Sequence, residues 1–116
     1  MRSLLLLLAA SASVAFAADW KVEYSVPKDA KANFDTQLTV TVKDAKGTPV
    51  AGAEVETVLT MVEMDHGEFK SPAKQVKPGV YQAKTNFIMV GLWQIEVRAK
   101  KGTESVSKKF RHDVKE

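Results

Sequence analysis

The stretch "LWQIEVRAK", Leu92–Lys100, sets apolar Trp93, Ile95 and Val97 against polar Gln94, Glu96 and Arg98. Strict alternation has the period of a strand with one face in a core and the other in water. A helix would need apolar residues three and four positions apart. No window beyond residue 17 carries such a stripe. Leu92 falls out of phase with its neighbours, and Trp93 is the expected centrepiece of the core.

The same period recurs on both sides of this stretch. "QLTVTVKD" (37–44) places Leu38, Val40 and Val42 on one face, and "WKVEYSV" (20–26) does so with Trp20, Val22, Tyr24 and Val26. "VYQAKTNF" (80–87) puts Tyr81, Ala83 and Thr85 in one phase, with Val80 outside it. "EVETVLTMVEM" (54–64) is apolar in both phases, Val55, Leu59 and Met61 in one and Val58, Val62 and Met64 in the other. Such a strand is covered on both sides, or a bulge switches its phase midway. "EFKSPAKQVKPG" (68–79) reads as a short, interrupted segment because of Pro72 and Pro78. "ESVSKKFRHDV" (104–114) reads as a final edge strand whose lysines discourage open pairing. The turn-rich "DAKGTPVAGAEV" (44–55) includes "GTPVAGAEV", which fits the tight turn before a strand in many immunoglobulin-like modules. About seven short strands with Gly/Pro turns predict an all-β fold, an immunoglobulin-like antiparallel β-sandwich.

The N-terminal "MRSLLLLLAASASVAFA" has an early charge at Arg2, a Leu-rich run and a small-x-small ending at Ala15-Phe16-Ala17. These are the marks of a signal peptide over 1–17, with an apolar core too short to span a bilayer. One domain over 18–116 follows, expected in the periplasm without membrane insertion of the mature chain. The chain has no cysteine, so it has neither disulfides nor thiolate ligands. Its formal charge of +3 falls to +2 without Arg2 and is spread over many lysines. That is a solvated surface without the clustered arginines and interleaved aromatics of a nucleic-acid binder.

Catalytic chemistry has little to build on. No serine stands in a motif that activates its hydroxyl, and no glycine-rich loop opens a helix. The chain is not expected to be an enzyme. The unusual stretch is "TMVEMDHGEF" (60–69), where Met61, Met64 and His66 crowd together before Gly67. Thioether sulfur and imidazole nitrogen favour Cu(I) over harder cations. In an extended strand Met64 and His66 share a face and Met61 takes the other. Met89, in "FIMVGLW" (87–93), is a further sulfur if that loop folds beside them. The plainer reading makes Met61 a core residue, Met64 a rim residue and His66 a turn cap. Asp65 reads as a turn residue and His112 as a solvated residue of the edge strand.

"MVEMDHG" followed by "KPGVYQAKTNFIMVGLWQIEVRA" resembles the YtkA-like domain, a family related to the FixH proteins. The matching residues are Met61, Met64, His66 and Gly67, then Pro78, Gly79 and Tyr81, then Gly91, Leu92 and Trp93. The resemblance spans roughly Leu38 to Ala99. It implies an immunoglobulin-like sandwich of the bacterial cell envelope, tied to copper handling or to assembly of copper-containing respiratory oxidases. FixH proteins retain a membrane helix, whereas the hydrophobic segment here reads as cleavable. Two functions follow. One is a copper-binding module holding Cu(I) through Met61, Met64, His66 and Met89 for an envelope partner. The other is a metal-free interaction module of the same fold.

Overall fold

In the computed structural model, which describes residues 16–28 and 30–115, the alternating stretches become strands. They are β1 (Phe16–Ala17), β2 (Lys21–Ser25), β3 (Asp35–Lys43) and β4 (Glu54–Met61), then β5 (Phe69–Lys77), β6 (Val80–Asn86), β7 (Gly91–Lys101) and β8 (Glu104–Val114). The expected signal peptide lies outside the described residues except for Phe16 and Ala17. Among the described residues no helix is long and apolar enough to cross a membrane.

Seven strands run antiparallel to their neighbours in the order β8-β7-β4-β5-β6-β3-β2, and the short β1 adds to β8 in parallel. The two layers are joined through β5. Its first half pairs with β4, from Leu59↔Phe69 to Val55↔Ala73. Its second half pairs with β6, from Lys74↔Gln82, with a register shift between Gln75 and Lys77. The segment expected to be short and interrupted is therefore a nine-residue strand. Pro72 is tolerated because β5 pairs with β6 only from Lys74 onward. A residue with no N–H to give fits the edge left open before that point.

The core lies between the layers. Leu38, Val40 and Val42 from β3 and Tyr81 from β6 meet Val55 and Leu59 from β4 and Trp93, Ile95, Val97 and Ala99 from β7. The doubly apolar β4 resolves without a bulge. It is a central strand whose Val55, Thr57 and Leu59 are buried. Val58, on the outer face, is also buried, flanked by Lys70 on β5 and Glu96 on β7. Long charged side chains cover apolar surface with their stems while their heads stay in water. The strand ends at Met61; Val62 keeps one backbone hydrogen bond to β7, and Met64 lies beyond the ladder.

One edge is closed by aromatic packing. Tyr24 of β2 lies 4.7 Å from Phe110 of β8, ring to ring, and its hydroxyl donates to the Arg111 carbonyl at 3.2 Å. His112, expected to be solvated, is half-buried on the inner face instead, edge-on to Tyr24 and 5.8 Å from Phe87. Its sequence neighbours Arg111 and Asp113 are charged, but its phase follows Phe110 and Val114.

At the opposite end Tyr81 fixes the β3–β4 connection. Its buried hydroxyl donates to the Val50 carbonyl at 2.7 Å and accepts from the Ala53 N–H at 3.0 Å. Tyr81→Phe keeps the ring and strands both backbone groups. Leaving buried polar groups unpaired costs about 1–3 kcal/mol. Urea unfolding is expected to show that loss, and an unchanged midpoint would mean that water replaces the hydroxyl.

On the outer face Arg98 bridges Glu56 at 3.3 Å and Glu96 at 3.1 Å, and the Ser107 hydroxyl donates to Glu96 at 2.6 Å. The hydrogen bond from Arg98, then that from Ser107, holds the Glu96 carboxyl below its usual range. A lowered folded-state value gives stability that is present above the unfolded value. That stability is lost as pH falls through the folded one. Glu96→Gln should therefore flatten the acid side of the stability curve. Arg98 is partly exposed, so the effect is at most about 1 kcal/mol. Parallel stability curves for the two proteins on acidification would remove Glu96 as a contributor.

Candidate functional site

Strands that alternate in direction send every second connection to the same end. The β2–β3, β4–β5 and β6–β7 connections therefore share one end, and Met64, His66 and Met89 all lie in them. Met61, the last residue of β4, points into the sandwich at that end, partly buried against the core.

Short backbone contacts tie these segments together. Val62 N–H donates to the Leu92 carbonyl at 3.0 Å, so the start of the β4–β5 connection is fixed to β7. The buried Trp93 donates its indole N–H to the Met89 carbonyl at 2.9 Å, which holds the β6–β7 connection over the core. Asn33 N–H reaches the Phe87 carbonyl at 2.7 Å and brings in the β2–β3 connection. Gly91, at φ +132°, faces Met61 so closely that an added Cβ would lie 3.0 Å from the Met61 methyl. Met61 and Trp93 are also direct partners in the β4–β7 register.

The donors fall into two groups. Met61 is partly buried and packs against the core, which is the place the plainer reading gives it. Met64 is 51% exposed and Met89 39% exposed. His66 is exposed on a turn shaped by Asp65, whose side chain accepts the Gly67 N–H at 2.9 Å. The shared strand face expected for Met64 and His66 does not exist, because both lie beyond the end of β4. Residues 62–64 bend the chain there, and the bond from the Gly67 N–H to Asp65 shapes the segment that follows. Among the described residues no three His, Asp or Glu side chains gather to hold a metal. A metal at this end would have to draw on methionine sulfur, and a set of three thioethers and one imidazole fits a soft monovalent ion.

Sequence reading missed a second property of this end. Phe34, Val62 and Val90, like Met64 and Met89, are exposed in the connections at this end. The signal was available in the alternation of strand direction, which assigns all three connections to one end. The opposite end offers a shallow cleft of about 800 Å³ lined by Glu54, Glu56, Arg98, Lys100 and serines. It contains no soft donor.

The sequence profile of the YtkA-like family matches residues 15–98. The chain belongs to the YtkA-like family. That span takes in every strand from β1 to β6 and most of β7, with all four candidate donors. No curated protein matches the chain. Seven chains of solved structures match it, and two of them serve as examples of the shared fold. The Lin-41 filamin domain superposes with a TM-score of 0.54 at 13% identity, covering 79% of this chain and 91% of its own. MtrC from Shewanella baltica OS185 gives 0.55 at 13% identity over 81% of this chain, which spans only 22% of the MtrC chain. At such identity these likenesses establish the immunoglobulin-like sandwich of this YtkA-like protein and nothing further.

Proposed function

We propose that this YtkA-like protein is an exported, periplasmic copper module that binds Cu(I) and passes it to an envelope partner, including in respiratory oxidase assembly. Met64 and His66 are the capturing ligands, and Met61 or Met89 completes the set. The protein acts as a carrier rather than an enzyme. One arrangement carries this reading: the three methionines and His66 belong to one end of the sandwich, where the β4–β5 and β6–β7 connections are tied to the same strand. Few, partly exposed soft ligands suit transfer, because an incoming ligand can join before an old one leaves.

Anaerobic Cu(I) titration of the exported protein tests it. His66→Ala and Met64→Leu are each expected to weaken binding at least about tenfold, the lower bound already found for changes one shell further out. Affinity should also fall on acidification, because an imidazole must be neutral to ligate. Equal affinities in wild type and both variants would place the site elsewhere. A metal-free interaction module is the second reading. It is favoured by the exposed Phe34, Val62, Met64, Met89 and Val90 at the same end. Flexible methionine side chains adapt to varied partner surfaces.

A further inference from the structure

We propose that Met64 and Met89 form a reversible oxidation site, whose conversion to methionine sulfoxide changes the loop end without disturbing the fold. The chain has no cysteine, so thioethers are its soft, oxidisable sulfur groups. Their exposure divides them. Met64 and Met89 stand open to solvent, whereas Met61 is partly buried, with its methyl against Gly91. Susceptibility to oxidants follows access to the sulfur.

The step needs a peroxide. A lone pair on the thioether sulfur attacks one peroxide oxygen, an S–O bond forms and the O–O bond breaks. The displaced oxygen leaves as water after proton transfer. Sulfur is oxidised by two electrons and the peroxide is reduced by two. A sulfoxide is polar and presents oxygen where a soft sulfur stood, which opposes both Cu(I) binding and apolar docking.

Position decides whether the change is a switch or a lesion. Neither Met64 nor Met89 belongs to the core, and Met89 is held through its backbone carbonyl rather than its side chain. Sulfoxide at either leaves the Trp93–Met89 hydrogen bond and the strand ladder intact. Sulfoxide at Met61 would force a polar oxygen against the core beside Trp93. The loss of Cu(I) on oxidation rests on the copper reading above. The selectivity does not.

Hydrogen peroxide treatment of the exported protein, followed by timed peptide mapping, reads both. Single-oxygen adducts are expected at Met64 and Met89 several-fold sooner than at Met61. The doubly oxidised protein should keep the thermal midpoint of the untreated one, and methionine sulfoxide reductase should restore the original mass. The Met64→Leu/Met89→Leu protein should take up almost no oxygen under the same exposure. Met61 oxidising in step with Met64, or a fall in midpoint when only Met64 and Met89 carry oxygen, overturns the proposal. Prior loading with Ag(I), a soft monovalent ion that peroxide does not cycle as it does Cu(I), is expected to slow both reactions. Selective oxidation that Ag(I) leaves unchanged supports the oxidation site and counts against the copper reading instead.

Discussion

Trp93→Ala is expected to cost about 3–5 kcal/mol of stability, the usual range for removing a large aromatic from a core. The side chain is fully buried at the centre of the sandwich, with Phe87 edge-on at 5.6 Å and Phe69 at 6.1 Å. No disulfide offsets the loss, and 3–5 kcal/mol is a large share of a small domain's total. The substitution also removes the hydrogen bond to the Met89 carbonyl, so two effects should be separable. Denaturant unfolding reads the first. Amide exchange in the β6–β7 connection reads the second, with faster exchange expected even under conditions where the variant stays folded. A variant with wild-type stability would contradict the burial of the indole.

Gly79→Ala should be nearly as damaging, for a different reason. Gly79 turns β5 into β6 at φ +79°, and a side chain costs about 1–2 kcal/mol in that region. A Cβ there would sit 2.6 Å from the Pro49 Cβ and 3.0 Å from the Val42 carbonyl oxygen. Both neighbours are fixed, since Gly79 accepts the Val42 N–H at 2.8 Å and Pro49 bridges to Lys43. Overpacking of that kind typically adds about 1–3 kcal/mol. Gly102→Ala is the control, with a similar φ of +61° and no atom within 4 Å. A melting-temperature drop for Gly79→Ala no larger than that for Gly102→Ala would show that the connection yields to the added methyl.

Residues with one strong local preference were legible in the sequence. Trp93, Ile95 and Val97 alternate cleanly, and so do Leu38, Val40 and Val42. Each set is buried as the period of two requires. Where the outcome depends on partners, local pattern was not enough. Pro72 reads as a break until it is known that β5 changes sheets just beyond it. His112 reads as solvated among charges until Tyr24 and Phe87 arrive from distant parts of the chain. At the candidate site the residue types were legible, while the geometry of Met64 and His66 was not. Their assumed strand face depended on β4 continuing past Met61, and it stops there.

The separation of connections to two ends has a practical consequence. The hairpin at Gly102–Thr103 lies at the far end from Met64, His66 and Met89, and Gly102 has open space around it. A fluorophore, affinity handle or surface tether introduced there points away from the methionines. Protein immobilised through that hairpin would present one defined pole to the solution. Every molecule on such a surface would then meet an added ion or partner in the same orientation.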